Sequence, residues 1–235
     1  MSDALLELRG VRAAYGGIEV LHGVDLQIAP GAVFALLGAN GAGKTTTLHV
    51  IAGLHPCGDG DVLIAGRRVN GARAEELARR GVCLVPEGRG VFPNLTVAEN
   101  LRMATHTGRP MAAVEEVAFT RFPRLRDRRH QTAGTMSGGE QQMLALARGL
   151  ACDPAVLLLD ELSMGLAPIV VADLYEKVAA IAATGVTILV VEQFARVVLG
   201  VATRAAIMTN GRVAAVGTPD ELSGELSAAY LGASA

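Results

Sequence analysis

The sequence predicts an α/β protein with a parallel sheet at its centre, and three observations lead there. Val33–Leu37, Val156–Leu159 and Ile188–Val191 are wholly apolar runs of strand length, the pattern of strands buried on both faces. The first two are followed by helix-like stretches, giving a strand–helix–strand rhythm that suits parallel pairing. Glycine-rich or acidic residues stand where each run ends, at the edge where open α/β sheets bind ligands.

The remaining elements follow in chain order. The first thirty residues alternate in the strand manner, with Leu6, Leu8, Val11, Leu26 and Ile28 as the apolar positions and Pro30-Gly31 as a turn. The run Val33–Leu37 enters GANGAGKTTTLHVIAGL, a glycine-rich loop followed by a helix. Strands are expected at Val62–Gly66 and within Gly81–Gly88, with a helical stretch between them at Gly71–Arg80. From about Gly90 to Leu150 the character changes: Pro93, Pro110 and Pro123 separate helix-like stretches at Val97–Met103 and Met111–Arg121, and an arginine-rich run follows at Arg121–His130. This middle part reads as a helical insert between strands. A helix at about Ile169–Ala183 then separates the strands of Ala155–Glu161 and Val186–Glu192. Asn210-Gly211 between two short apolar runs is a strong hairpin signal. Thr218-Pro219-Asp220-Glu221 has the form of a helix start.

Composition sets limits on function. A chain of 235 residues that is 51% hydrophobic can bury a substantial core, and its net charge of -2 argues against both disorder and a dedicated nucleic-acid binder. The arginine-rich run has few aromatic residues for stacking on bases, so a solvated helical face is the favoured reading. Cys57, Cys83 and Cys152 lack metal-ligand or disulfide-framework spacing, which points to reduced thiols, with Cys83 expected as a small buried hydrophobe. The five histidines also lack metal spacing. No basic start precedes an apolar run at the N-terminus, and no run reaches the roughly 18 residues of a spanning helix. Of 21 cationic residues only Lys44 and Lys177 are lysines.

Gly38-Ala39-Asn40-Gly41-Ala42-Gly43-Lys44-Thr45 fits the phosphate-loop pattern G-x-x-x-x-G-K-[ST] in full. A chance glycine-rich turn is the competing reading, and the buried strand before and helix after the loop argue against it. Glycines let backbone N–H groups approach phosphate oxygens, and the helix N-terminus adds its positive dipole end. Lys44 supplies a compact charge for the β- and γ-phosphates, and Thr45 a hydroxyl for Mg²⁺. At the end of Val156–Leu159, Asp160 is placed to hold Mg²⁺ and Glu161 to act as general base on a water. An acidic strand end is a weak signal alone; paired with the phosphate loop it becomes strong.

Met136-Ser137-Gly138-Gly139-Glu140-Gln141-Gln142 reads locally as a capping box before an apolar helix. It also resembles the signature motif of ATP-binding-cassette (ABC) ATPases. That resemblance extends in order over almost the whole chain. It implies one ABC nucleotide-binding domain over residues 1–235, with a RecA-like parallel sheet, N-terminal antiparallel strands and a helical signature insert at about 88–152. It implies that Ser137, Gly138, Gly139 and Glu140 complete the ATP site of an opposing subunit, and that Tyr15 stacks on adenine. The nucleotide would also touch Gly38, Asn40, Gly41, Ala42, Gly43, Lys44, Thr45 and Thr46. Glu87 stands where most of the family has a glutamine linking Mg²⁺ and the attacking water to the transporter contact, and Gln193 replaces the usual switch histidine. Ser163–Ala167 corresponds to the loop that crosses to the other subunit.

The VPEG, MSGGEQQ, GLAP and VEQ segments closely resemble one of the two ATPases of branched-chain amino-acid importers. The expected reaction is ATP hydrolysis with Mg²⁺, coupled to entry of leucine, isoleucine or valine, or of another small solute such as an amide or urea. Expected partners are two membrane permease subunits, a second ABC ATPase and a periplasmic or lipid-anchored solute-binding protein, at the cytoplasmic face of the membrane. No nucleic-acid partner is expected. The insert and the residues after Glu87 are where the family docks its membrane subunits. Export by a similar cassette and a soluble, non-transport ABC ATPase are the competing readings; the latter normally carries two cassettes or long inserts. Leu162, Gly90 and Phe194 depart from the proline, arginine and asparagine of the pattern; Leu162 loses backbone stiffness but no reacting group, and Phe194 adjoins the switch position at Gln193. Hydrolysis is expected to survive all three.

Overall fold

The computed structural model describes residues 4–88, 90–193, 195–222 and 224. The early alternation resolves into two antiparallel strands, β1 (Leu6–Tyr15) and β2 (Ile18–Ile28), joined at Gly16-Gly17, where both residues have positive φ. They form a four-stranded antiparallel sheet with β4 (Asp59–Ile64) and the two-residue β5 (Arg67–Arg68), in the order β2-β1-β4-β5. The strand expected from Val62 thus begins at Asp59, and Ala65-Gly66 forms the turn into β5 instead of its end.

The second sheet carries the expected parallel core. Its order is β10 (Arg212–Gly217), β9 (Arg204–Thr209), β3 (Val33–Leu37), β8 (Thr187–Glu192), β7 (Val156–Asp160), β6 (Val82–Val85). All neighbours run parallel except β10, which returns antiparallel to β9 through Asn210-Gly211. Phe34 and Leu36 of β3, with Leu158 and Leu189, face a core shared with the first sheet. Ala35 and Leu37, with Leu157, Leu159 and Val190, face the opposite core. Alternate residues of one run therefore serve two cores, which is why these strands read as continuously apolar.

Helix α1 (Lys44–Ile51) follows β3, α2 (Ala74–Arg79) precedes β6, and α7 (Pro168–Ala182) and α8 (Ala195–Leu199) flank β8. Between β6 and β7 lies the helical insert: α3 (Val97–Arg102), a 3-10 turn at Met103–Thr107, α4 (Met111–Arg121), α5 (Pro123–Asp127), a 3-10 turn at Ala133–Thr135 and α6 (Gly138–Ala151). Thr96 starts α3 with a reciprocal capping box to Glu99. Asn100, fully buried, accepts from Phe92 N (2.8 Å) and donates to the carbonyls of Phe92 and Thr96 (both 3.0 Å), clamping the turn that enters the insert.

The arginine-rich run is anchored within the insert. Phe122 and Leu125 are buried, Arg128 pairs with Glu140 (2.8 Å), Arg129 pairs with Glu115 (2.9 Å), and the Arg126 guanidinium lies 5.8 Å from the Phe119 ring centre. Cys83 packs against the core as a partly buried residue and, with Cys152, also lines a groove beside β6. Thr218 and Glu221 form the reciprocal bonds of the expected helix start (2.7 and 3.4 Å); the helix they would begin lies outside the described residues. No helix among the described residues is long and apolar enough to cross a membrane.

Candidate functional site

Strand order places the candidate residues side by side. The phosphate loop leaves β3, Gln193 follows β8, Asp160 and Glu161 close β7, and Glu87 lies just beyond β6. These four strands are successive neighbours, so all four segments emerge along one carboxyl edge.

Gly43 is the left-handed N-cap of α1 (φ 102°), and the first-turn N–H groups beyond it have no intrahelical acceptor. Asn40 and Gly41 are exposed at the loop tip, Gly38, Ala42, Gly43 and Thr46 are buried, and Thr45 is half-buried. Lys44 is 4% exposed. Its Nζ donates to the carbonyls of Gly38 (3.0 Å) and Ala39 (3.2 Å) and lies 3.7 Å from Glu161 Oε1. The loop is thus curled around its own ammonium group, which faces the carboxylate expected to act as base. Gly211, at the tip of the β9–β10 hairpin, donates to Ala42 O (2.9 Å) and braces the loop from the other side.

The Thr45 hydroxyl donates to Asp160 Oδ1 (3.2 Å). Asp160 is 2% exposed, and burial pushes its carboxyl up to about 6, opposed by the Thr45 bond and reinforced by the charges of Glu161 and Glu87. A buried carboxylate beside a hydroxyl, with two further carboxylates close by, is a place that a divalent cation would relieve. No cluster of three or more metal-ligating side chains exists among the described residues. The donors present, the Asp160 carboxylate and the Thr45 hydroxyl, suit Mg²⁺, which commonly takes only one or two carboxylates from protein together with substrate phosphates.

Glu161 itself has φ 44°, a strained left-handed conformation for a non-glycine residue, fixed in part by its N–H donating to Val191 O (3.0 Å). Leu162, at the departure from the proline pattern, is buried, and its carbonyl accepts from Gln142 Nε2 of α6 (3.0 Å). Packing and this hydrogen bond hold the turn where the pattern uses a proline ring. Gly90 also acquires a reason: at φ 56°, a Cβ there would lie 3.0 Å from the Pro86 ring, so arginine would be strained in this backbone. Phe194 lies outside the described residues, as does Arg89.

Tyr15 is 46% exposed, with its ring stacked on His55 at 4.0 Å between centres and 28° between planes. One face is thus backed by imidazole, while the side chain remains open to an incoming aromatic base. His55 is fixed in turn by Nε2 against Ala14 O (3.1 Å). Sequence reasoning named Tyr15 and missed its support.

The Ser137–Glu140 segment forms both the cap and the expected helix start. Ser137 N and Oγ donate to Glu140 Oε2 at 3.0 and 2.8 Å. Burial raises the Glu140 carboxyl, and these bonds with Arg128 and Arg124 outweigh it, leaving Glu140 below the usual carboxylate range. No hydrogen bond or ion pair joins Ser137, Gly138 or Glu140 to the phosphate loop of the same chain among the described residues. Gly139 is packed against α7 so closely that a Cβ would come within 2.4 Å of Val170 Cγ1. Gly139→Ala is expected to destabilise by about 1–3 kcal/mol, measured by denaturant unfolding. Unchanged stability would show that α7 yields without cost.

One functional-looking constellation was not legible in the sequence. Glu192, buried at the end of β8, accepts from Tyr175 OH (2.5 Å), Ser163 N (2.9 Å) and Ser163 Oγ (2.8 Å). Burial raises its carboxyl, the Tyr175 and Ser163 donors work against that, and the charge of Glu161 adds to it. The residue preceding Gln193 thus ties down the loop following Glu161. Tyr175→Phe removes one donor and leaves the shape intact, so it is expected to cost about 1.5–3 kcal/mol. Equilibrium unfolding of the variant checks this, and a cost below measurement would remove the tyrosine from the network.

The ABC transporter family profile matches residues 21–163. The high-affinity branched-chain amino acid transport ATP-binding protein BraG of Pseudomonas aeruginosa is 42% identical over 212 residues, covering 89% of this chain and 91% of that protein. A Nod factor export ATP-binding protein of Cupriavidus pinatubonensis is 36% identical over 222 residues, covering 93% of this chain and 68% of that one. Among solved structures, the ADP conformation of an ATP-binding cassette of an ABC transporter superposes with a TM-score of 0.87 at 24% identity, covering 97% and 99% of the two chains.

Proposed function

Because the chain belongs to the ABC transporter family and is an ATPase of a transporter, we propose that it energises the import of branched-chain amino acids. The observation that carries the substrate class is the 42% identity to BraG across 89% of the chain. The VPEG and VEQ segments, with glutamate at 87 and glutamine at 193, support the same reading.

In the proposed mechanism the chain is one cassette with its insert at about 88–152. Adenine stacks on Tyr15, and the loop from Gly38 to Thr46 wraps the phosphates. Lys44 exchanges its bonds to the Gly38 and Ala39 carbonyls for β- and γ-phosphate oxygens. Thr45, Asp160 and Glu87 would hold Mg²⁺, which supplies charge neutralisation on those oxygens. Ser137, Gly138, Gly139 and Glu140 of a second cassette, identical or related, close the site from the other side. Glu161 accepts a proton from water as that water attacks the γ-phosphorus, releasing ADP and phosphate. Gln193 donates its amide hydrogen to the γ-phosphate; it cannot carry a proton, which leaves the base role to Glu161.

The insert and the residues after Glu87 would meet two membrane permeases at the cytoplasmic face, with a solute-binding protein delivering substrate from outside. Co-purification in mild detergent together with uptake of labelled leucine in a deletion strain tests the proposal. Recovery of polytopic permeases and loss of leucine uptake are expected. Normal leucine uptake would overturn the substrate class, and recovery of RNA or ribosomes without permeases would overturn transport. The 36% identity to an export protein supports a second reading as an exporter, which the same uptake assay separates by direction.

A further inference from the structure

A groove of about 270 Å³ runs between β6 and the insert, and two of the three cysteines line it, Cys83 from β6 and Cys152 from the C-cap of α6. The Cys83 Sγ points at the last turn of α6, where a Cβ placed on Gly149 would sit 3.5 Å from it. The Cys152 Sγ lies over the same turn, 3.4 Å from Arg148 O, so the two thiols are neighbours at the end of α6. Arg148 also lines the groove, 4.9 Å from the Phe92 ring centre and bonded to the Gly90 carbonyl, and His106 is on the same wall.

We propose that Cys83 and Cys152 are a peroxide-oxidisable pair that closes to an intramolecular disulfide, stapling β6 of the sheet to the end of α6. The order of events follows from the surroundings of each sulfur. The Cys83 contact favours the Cys152 thiolate; burial opposes it, while His106, Arg148 and Arg109 add positive charge beside it. Cys83 is pushed the other way by the same contact and by burial, and so remains the thiol.

The Cys152 thiolate attacks a hydroperoxide oxygen, breaking the O–O bond and leaving a sulfenic acid and an alcohol or water. The Cys83 sulfur then attacks the Cys152 sulfur, the S–O bond breaks, water leaves, and the Cys83 proton goes with it. Two thiols lose two electrons in total and the peroxide takes both. Cys57 provides an internal comparison, because its thiol is raised by burial and donates to Asp59 O (3.0 Å) away from any partner cysteine. This chemistry does not depend on the transported substrate or on what docks at the insert.

The test uses the full chain, fully reduced and then exposed to hydrogen peroxide at neutral pH, with non-reducing peptide mapping by mass spectrometry. A cross-linked Cys83–Cys152 peptide is expected, with the chain lighter by two hydrogens and dithiothreitol restoring the original mass. Cys83→Ser should leave a sulfenic acid on Cys152 that dimedone traps, and Cys152→Ser should abolish the cross-link and leave Cys83 reduced. A Cys57→Ser chain should behave as the parent does. Oxidation of Cys57 ahead of the pair, or progress of Cys152 to the sulfinic acid with no cross-link in the parent, would overturn the proposal.

Discussion

Lys44→Arg is expected to fold with near-parent stability and to lose ATP hydrolysis by about a hundredfold or more, the scale seen when one preorganised charge at a reacting phosphoryl or oxyanion is misplaced. Net charge is unchanged, so any effect is one of shape. The lysine is 4% exposed, and its Nζ sits between the Gly38 and Ala39 carbonyls at 3.0 and 3.2 Å, inside a loop closed by its own backbone. A single ammonium on a thin stem can turn from those carbonyls to phosphate oxygens without moving the loop. A planar guanidinium presents a wide fork whose donors lie in one plane, and it cannot make that exchange in the same space. The Glu161 oxygen at 3.7 Å gives a second consequence, because a displaced cation would also pull on the group proposed as the base. Steady-state hydrolysis and thermal unfolding, measured on the same preparation, check the two halves. Turnover within a few-fold of the parent would remove Lys44 from its assigned role.

Nineteen of the 21 cations are arginines, and the phosphate loop is one of two places where lysine is kept. That contrast is legible in the sequence alone, as are the loop, the acidic end of β7 and the parallel rhythm, because each is written in residues adjacent along the chain. The elements that were missed depend on contacts distant in sequence. Glu192 meets Tyr175 and Ser163 across separations of 17 and 29 residues, and no local pattern marks the three as a set. The support of Tyr15 by His55 spans the β1–β2 hairpin and α1. Gly16-Gly17 was an available turn signal in the N-terminal alternation, and β5 is too short to show periodicity at all. Gly90 looked like a departure from the pattern because only its positive φ and the nearby Pro86 ring explain it.

Asp160→Asn is expected to separate stability from activity: the nucleotide-free protein becomes more stable while Mg²⁺-dependent hydrolysis falls by about a hundredfold or more. Asparagine keeps the shape and can still accept from the Thr45 hydroxyl, which donates to Oδ1 at 3.2 Å. It removes a charge that burial, Glu161 and Glu87 all disfavour, the reason the carboxyl is raised from 3.8 to about 6. The sign follows from proton counting. Between those two values the folded state holds the proton more tightly than the unfolded chain, so the parent loses stability as pH rises through about 6. The asparagine variant has no such loss. Its advantage should be small below pH 3.8, should open as pH rises through about 6, and should then stay level. After allowance for solvent screening in an open cleft, the gain is on the order of 1 kcal/mol, or about 2–4 °C in unfolding temperature for a chain of this size. An unfolding series across pH without nucleotide checks the stability half, and hydrolysis at saturating Mg²⁺ checks the other. A variant less stable than its parent at neutral pH would mean that the carboxylate is structural; a more stable, inactive variant would mean that the fold tolerates this buried charge for the sake of the cation it binds.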